Sequence, residues 1–173
     1  YLRGGTYGSG GSFNESVTVS GTVSNRVVFT NYPGEVFTFN GEIRIDGDWV
    51  ELLGDQKNGG GFHVTNTSLD RMTVSGRPAG VNCRGSVGAR IRSLVVYNCG
   101  HPGIQIQQLS ERDTVEGCIL YGNGRYDAAN SRYEGSAIYC QNRPGVGTKV
   151  IRNNVSFFPF TTTGKVFGTC TDV

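Results

Sequence analysis

The residues best suited to chemistry are polar side chains that recur along the chain beside pairs of apolar residues. Arg44, His63 and Arg84 would form a cationic patch if their spacing brings them together, and such a patch can hold carboxylate groups, such as those of uronates, by charge-assisted hydrogen bonds. The competing interpretation is a solvated sheet face without a ligand. The candidate glycan-binding residues, called the polar strip below, are Arg44, His63, Arg84, Gln105 and Tyr139.

Carboxylates are scarce beside the polar strip. It has one, Asp46, with Asp48 nearby in sequence. Calcium commonly takes about 6–8 oxygen ligands, and hydrolysis of a glycosidic bond takes two carboxyl groups that flank it. Calcium is therefore only weakly supported, no other cofactor or metal is expected, and no catalytic residue is identified. His101, in the run Cys99-Gly-His-Pro-Gly, is interpreted as a solvent-facing turn residue.

A strand register must position the polar strip. Apolar residues occur two positions apart with a polar or wettable residue between them, and this pattern recurs after 19, 19, 23 and 34 residues. A period-two strand that recurs about every 20 residues is typical of a solenoid, in which each coil stacks on the last. The apolar pairs are Ile43 and Ile45, Phe62 and Val64, Val81 and Cys83, Ile104 and Ile106, and Ile138 and Cys140.

A second register runs beside the first. Its residues recur after 24 and then 36 residues, so the two registers lengthen together, as two strands of one coil must. The extra residues of the last interval predict a projecting loop at about 124–135. One column of this register is interpreted as an aromatic stack in the core. The three sets are Ile91, Val95 and Tyr97, then Val115, Ile119 and Tyr121, then Ile151, Val155 and Phe157.

The composition predicts an all-β fold. Gly is 27 of the 173 residues, short runs of β-branched and aromatic residues alternate with turn residues, and no helical period is sustained. We expect one domain over residues 1–173, a parallel solenoid of about seven coils. A hairpin sandwich is the rival architecture, but it does not predict two strand registers whose spacings lengthen together.

Net charge, hydropathy and cysteine spacing bear on whether the chain binds nucleic acid, spans a membrane or holds a metal. The net charge of +2 implies no nucleic-acid partner, and no apolar run approaches the ~18 residues of a membrane span. The cysteines lack metal-site spacing and are interpreted as buried thiols, although Cys140 and Cys170 could lie on neighbouring coils. Asn66, in Asn66-Thr-Ser, follows a strand at a turn and is the glycosylation candidate.

Three segments resemble the pectate-lyase-like superfamily of right-handed parallel β-helix repeat proteins. They are YLRGGTY at 1–7, SGTVSNRVVFTNYPGE at 20–35 and SLVVYNCGHPGIQIQ at 93–107. The resemblance implies a right-handed parallel β-helix in an extracellular or cell-surface protein that meets polysaccharide. It does not specify an activity, because one fold hosts many functions. Enzymes of this superfamily generally have more coils and an N-terminal capping helix, which is not evident before the first coils.

Two functions follow as hypotheses. The first is a secreted or surface structural or adhesive module that associates end to end with copies of itself into filaments and contacts glycans. It is favoured by the short stack, the missing cap and the scarcity of carboxylates, because uncapped strand edges recruit further strands. The alternative is a polysaccharide lyase, or a fragment of one, that acts on uronate-containing polysaccharide. The superfamily resemblance and the cationic patch favour this alternative.

Overall fold

The computed structural model describes residues 1–66, 78–143, 145 and 147–157 and the backbone of a strand at 162–167. Within these residues the protein is all-β, with strands arranged in three parallel sheets and one antiparallel hairpin. The only helical turns described are two short 3-10 turns, Lys57–Gly59 and Ala128–Asn130. No helix in this part of the chain has the length and apolar character needed to cross a membrane.

The first sheet has six strands, and all of its pairings are parallel. Its members alternate along the chain with strands of the other two sheets. In spatial order they are β1 (Gly5–Tyr7), β4 (Val36–Asn40), β7 (Gly61–Thr65), β10 (Val95–Tyr97), β13 (Ile119–Tyr121) and β18 (Val155–Phe157).

The second and third sheets are also parallel, with six and five strands. The second sheet contains β2 (Asn14–Val17), β5 (Glu42–Ile45), β8 (Val81–Cys83), β11 (Ile104–Ile106), β16 (Ser136–Gln141) and β19 (Thr162–Phe167). The third sheet contains β3 (Val27–Thr30), β6 (Val50–Leu53), β9 (Arg90–Arg92), β12 (Thr114–Glu116) and β17 (Val150–Arg152).

Successive strands enter the three sheets in a fixed rotation from the first to the second to the third. We call three successive strands, one from each sheet, a circuit. One hairpin interrupts the rotation, between β13 and β16. It pairs β14 (Arg125–Asp127) with β15 (Arg132–Glu134) in antiparallel fashion, so the stretch for which a loop was predicted contains regular structure of its own.

The turn from the third sheet to the first depends on left-handed backbone. Ser93, Gly117 and Asn153 occupy the same place in three circuits, and their φ angles are 56°, 64° and 56°. Glycine and asparagine adopt this conformation more readily than most residues. A single left-handed residue reverses the chain sharply, which is why these turns are short enough for the next strand to begin at once.

Buried and partly buried asparagine side chains hold successive circuits together at the turns. The Asn123 amide accepts a hydrogen bond from the backbone N–H of Cys99 and donates to the carbonyl of Val96, both at 3.0 Å. Asn154, which is partly buried, makes an equivalent pair of bonds to Cys118 and Val115, at the turn from the third sheet to the first between the same two circuits. Because a buried polar group is costly unless it is hydrogen-bonded, these amides stabilise the register as well as the turn.

Four of the five predicted apolar pairs lie in register in the second sheet, as the sequence predicted. Ile43 pairs with Val81, Val81 with Ile104, and Ile104 with Ile138. The side chains of all four pairs point inward and are buried, whereas Arg44, Gln105 and Tyr139, each between the two members of its pair, point outward.

The fifth place, at Phe62, was predicted wrongly. Phe62 lies in the first sheet, where it pairs with Phe37, and the two rings meet edge to face at 4.9 Å between centroids. The interval from Ile43 to Val81 is therefore one circuit that visits all three sheets. Counting it as two explains why the sequence predicted about seven coils, whereas the larger sheets have six strands within the described residues.

The aromatic column was placed on the wrong face. Val96 and Leu120 are the fully buried residues of β10 and β13, so the neighbouring Tyr97 and Tyr121 point outward. The Tyr97 and Tyr121 rings stack with 5.0 Å between centroids, and Phe157 continues the stack at 5.2 Å while 41% exposed. Both faces of these strands carry apolar residues, so alternation alone could not distinguish inside from outside.

The cysteines in the described residues are buried. Burial raises the pKa of the Cys83 thiol, and it raises that of Cys118 to about 11. Both side chains therefore act as small apolar groups in the core. Cys170, the possible neighbour of Cys140, lies outside the described residues.

Adjacent positions of β11 test which face of the second sheet is the core. Ile106→Asp places a charge at a fully buried position, whereas Gln105→Asp changes a partly exposed one. We expect the first to unfold the protein or to cost at least about 3 kcal/mol in the free energy of unfolding, and the second to cost about 0.5 kcal/mol or less. Denaturant titration measures both, and equal losses would contradict the assigned face.

A buried carboxyl group makes stability depend on pH. Asp113 is fully buried and accepts hydrogen bonds from the Ala89 N–H at 2.8 Å and the Ser86 hydroxyl at 3.1 Å. Burial, which outweighs these bonds, raises the pKa of Asp113 to about 7. The folded chain therefore holds this proton more tightly than the unfolded chain does. Protonated Asp113 makes its full contribution to the free energy of unfolding below about pH 4, and that contribution is lost as the pH rises through about 7.

We therefore expect Asp113→Asn to remove a pH dependence. Between about pH 4 and pH 7 the free energy of unfolding of the native chain should fall relative to that of the variant, by up to about 1.4 kcal/mol per pH unit. Denaturant titrations at several pH values give this difference. A constant difference across the range would show that Asp113 ionises normally in the folded protein.

Candidate functional site

A polar cleft of about 840 Å³ lies on the outer face of the second sheet. Its floor consists of outward side chains from β5, β8, β11 and β16, and the hairpin forms one wall. The floor residues are Glu42, Arg44, Asn82, Arg84, Gln105, Gln107, Tyr139 and Gln141; the flanking residues include Asn14, His101, Arg132, Tyr133 and Glu134.

In-register pairing aligns the floor of the cleft. Arg44 pairs with Asn82, Asn82 with Gln105, and Gln105 with Tyr139. Parallel strands are about 4.8 Å apart, so these four positions form a row about 14 Å long. The row exists because each strand keeps the same alternation, apolar inward and polar outward.

Four of the five residues of the polar strip line the cleft, and His63 does not. His63 lies in β7 of the first sheet, where it pairs with Thr38 and Val95. Its ring meets the edge of Tyr97 at 6.2 Å between centroids, and burial lowers the pKa of the imidazole. The correction has the same cause as that of Phe62, because a second strand with the same alternation occurs within one circuit.

A buried carboxylate anchors one end of the cleft. Glu42 is only 4% exposed, and its Oε2 accepts a hydrogen bond from Arg44 Nε at 2.9 Å. Its Oε1 accepts one from the Asn82 amide at 2.9 Å, and Asn82 in turn accepts one from Gln107 at 3.1 Å. The arginine and the amides thus fix one another across three adjacent strands.

The other cation of the strip is also paired. Arg84 donates to both carboxylate oxygens of Asp46, from Nε to Oδ1 at 3.0 Å and from a terminal nitrogen to Oδ2 at 3.2 Å. This hydrogen bond raises the pKa of Arg84 above its ordinary value. Both carboxylate oxygens of Asp46 therefore accept hydrogen bonds from one guanidinium. Within the described residues no group of three or more acidic, histidine or cysteine side chains is arranged to hold a metal.

The hairpin wall is built around a second buried acid. Glu134 is 7% exposed and accepts hydrogen bonds from Arg125 at 3.1 Å and from Arg132 Nε at 3.1 Å. The Tyr126 and Tyr133 rings pack across the hairpin at 5.1 Å between centroids, and Tyr133 is 57% exposed at the cleft. The ion pairs at its base give this inserted segment a defined shape.

Sequence reasoning missed several residues of the cleft, among them Glu42, His101 and Glu134. Glu42 stands two positions before Arg44, so the period-two alternation could have placed it on the outward face. His101 was interpreted as a turn residue that faces solvent, but it is partly buried in the wall of the cleft. No sequence signal points to Glu134, because it reaches the cleft only through the folding of the hairpin.

The glycosylation candidate is not accessible. Asn66 is 1% exposed, and its side chain bonds both the N–H and the carbonyl of Gly11, at 2.6 and 2.9 Å. Attachment of a glycan would break both bonds and expose the turn. The prediction that Asn66 is available was therefore wrong, because this turn asparagine is a buried link to the turn at Gly11.

No protein-family model matches this chain, and no curated protein or solved structure matches it significantly.

A double-mutant cycle measures the Glu42–Arg44 pair. We expect Arg44→Met to cost about 1–3 kcal/mol in the free energy of unfolding, because it leaves the Glu42 carboxylate buried with only an amide partner. Glu42→Gln in the same background should recover much of that loss. Denaturant titration of the two single variants and the double variant gives the coupling, and additive losses would show that the pair contributes nothing.

Proposed function

We propose that the three parallel sheets belong to a right-handed parallel β-helix of the pectate-lyase-like kind. The fixed rotation of strands among the sheets supports this. So does the general rule that crossovers between parallel strands of one sheet are right-handed in nearly all proteins. The three segments that resemble the superfamily contain strands of all three sheets: β1 and β10 of the first, β11 of the second and β3 of the third.

We propose further that the protein is an extracellular or cell-surface structural or adhesive module that holds glycans in the polar cleft. The observation that carries this proposal is the row of outward polar side chains across four adjacent strands in a cleft of about 840 Å³. Amide groups both donate and accept hydrogen bonds, as sugar hydroxyls require. Tyr133 and Tyr139 add aromatic surface with a polar end, which suits the apolar faces and hydroxyl edges of a sugar ring.

The shape of the cleft suits a linear ligand. Its floor runs along the direction in which strands are stacked and is open to solvent, and the hairpin bounds it on one side. A row of about 14 Å accommodates a short run of sugar units in a longer chain. An extended polysaccharide could therefore lie across the strands without its ends entering the protein.

The lyase alternative is less well supported by the same geometry. A lyase needs a base that gives up its proton near neutral pH. Arg84 is bonded to Asp46 through both carboxylate oxygens, and this raises the pKa of the guanidinium, the opposite of what a base requires. Arg44 is likewise paired, with Glu42.

End-to-end association of copies of this chain, the other part of the first hypothesis, stays a prediction.

Glycan binding can be tested with variants of the cleft floor. Affinity electrophoresis through gels that contain dextran, galactomannan, arabinoxylan, polygalacturonate or alginate measures retardation of the native chain. We expect at least one polysaccharide to retard it, and Gln105→Ala and Tyr139→Ala each to weaken that binding by about 5–50-fold, as expected for loss of one or two contacts worth about 1–2 kcal/mol.

The matched control is His63→Ala, which changes an outward residue of the first sheet and should leave binding within about twofold. Equal effects of His63→Ala and Gln105→Ala would contradict the placement of the site in the cleft. Unsaturated uronate products formed with calcium from polygalacturonate, and lost in Arg84→Ala, would support the lyase alternative instead.

A further inference from the structure

The charges of the cleft compensate one another inside the protein. Each arginine that lines the cleft has a carboxylate partner within salt-bridge distance: Arg44 has Glu42, Arg84 has Asp46 and Arg132 has Glu134. The two arginines of the cationic patch that the sequence suggested, Arg44 and Arg84, are thus both compensated by a carboxylate. This pairing bears directly on which glycans the cleft accepts.

An anionic sugar could bind Arg44 only at the expense of Glu42. That carboxylate is 4% exposed, and it accepts hydrogen bonds from Arg44 and from the uncharged amide of Asn82. If a uronate drew the guanidinium away, a buried charge would lose its ion pair, and breaking one side of a buried pair is strongly unfavourable. If the guanidinium stayed, the uronate would lie next to a second carboxylate of like charge.

Arg84 presents a similar obstacle in a more exposed setting. Its guanidinium uses Nε and one terminal nitrogen on the two oxygens of Asp46. This bidentate arrangement is the one that a uronate carboxylate would otherwise form with an arginine. Asp46 therefore occupies the position that an anionic ligand would take.

Uncharged polar groups remain for ligand recognition. Gln105, Gln141 and Tyr139 lie on the floor between the paired charges and are partly exposed. Their amide and hydroxyl groups can donate to and accept from sugar hydroxyls without displacing an ion pair. Recognition by such groups does not depend on a charge in the ligand.

We infer that the cleft selects neutral, hydroxyl-rich glycans over uronate-containing ones, and that Glu42 and Asp46 determine this selectivity by neutralising Arg44 and Arg84. The inference rests on the proposed glycan-binding function and specifies its ligand class. It also reverses the expectation from the sequence, in which the same arginines were candidates to hold uronate carboxylates.

The test compares neutral and anionic polysaccharides on the native chain and on Glu42→Gln, Asp46→Asn and the double variant. Dextran, galactomannan and arabinoxylan are the neutral probes, and polygalacturonate and alginate the anionic ones. We expect the native chain to bind at least one neutral probe at least 10-fold more tightly than either anionic probe. The double variant should bind an anionic probe at least 10-fold more tightly than the native chain does, and this gain should shrink with added salt.

Asp46→Asn keeps the test decisive if Glu42→Gln does not fold, because Asp46 is partly exposed and its replacement leaves the Glu42 pair intact. As a single substitution, Asp46→Asn should raise the affinity for an anionic probe by about threefold or more. Tighter native binding to polygalacturonate or alginate than to every neutral probe would overturn the selectivity while leaving glycan binding in place. So would an unchanged ratio in all folded variants. Failure of all five probes to bind would overturn the proposed function as well.

Discussion

In-register hydrogen bonding between parallel strands is the constraint on which the rest of this structure depends. Each strand of the second sheet pairs residue for residue with the strand of the next circuit, as Ile104 does with both Val81 and Ile138. Such pairing places like positions above one another at about 4.8 Å. It therefore builds a continuous apolar interior, the stacked aromatic rings outside, and a continuous polar row in the cleft.

The same constraint explains where polar groups are buried. A strand that pairs on both sides satisfies its own backbone, but each turn leaves N–H and C=O groups without a ladder partner. Asn123 and Asn154 satisfy such groups on the preceding circuit, and Asn66 does so at an N-terminal turn. Asparagine at these turns thus has a structural role, which removes Asn66 as a modification site.

Ion pairing compensates the charge of each arginine that lines the cleft. Glu42 and Glu134 are buried beside arginines that face the cleft, so neither acid nor base is left with an uncompensated formal charge at the ligand position. Pairing also holds each guanidinium in place. Under the proposed function, a floor held in this way would lower the entropic cost of binding.

The sequence by itself determined the fold class, the inward and outward positions of the second sheet, and most of the cleft floor. It could do so because the alternation of apolar and polar residues is local, and pairing in register repeats it. The sequence alone could not say which sheet a given strand joins, so His63 and Phe62 were misplaced by one sheet. Nor could it place Tyr97 and Tyr121, since their strands are apolar on both faces.

Only the tertiary structure decided which charged side chains of the cleft form ion pairs. Arg84 and Asp46 are 38 residues apart in sequence, and Glu134 reaches Arg125 only because the inserted segment folds back on itself. Ion pairs of this kind depend on distances of about 3 Å across strands, and a pattern of residue types along one chain does not contain those distances. Arg44, Arg84 and Asp46 were visible in the sequence, but which carboxylate neutralises which arginine became apparent only in the folded molecule.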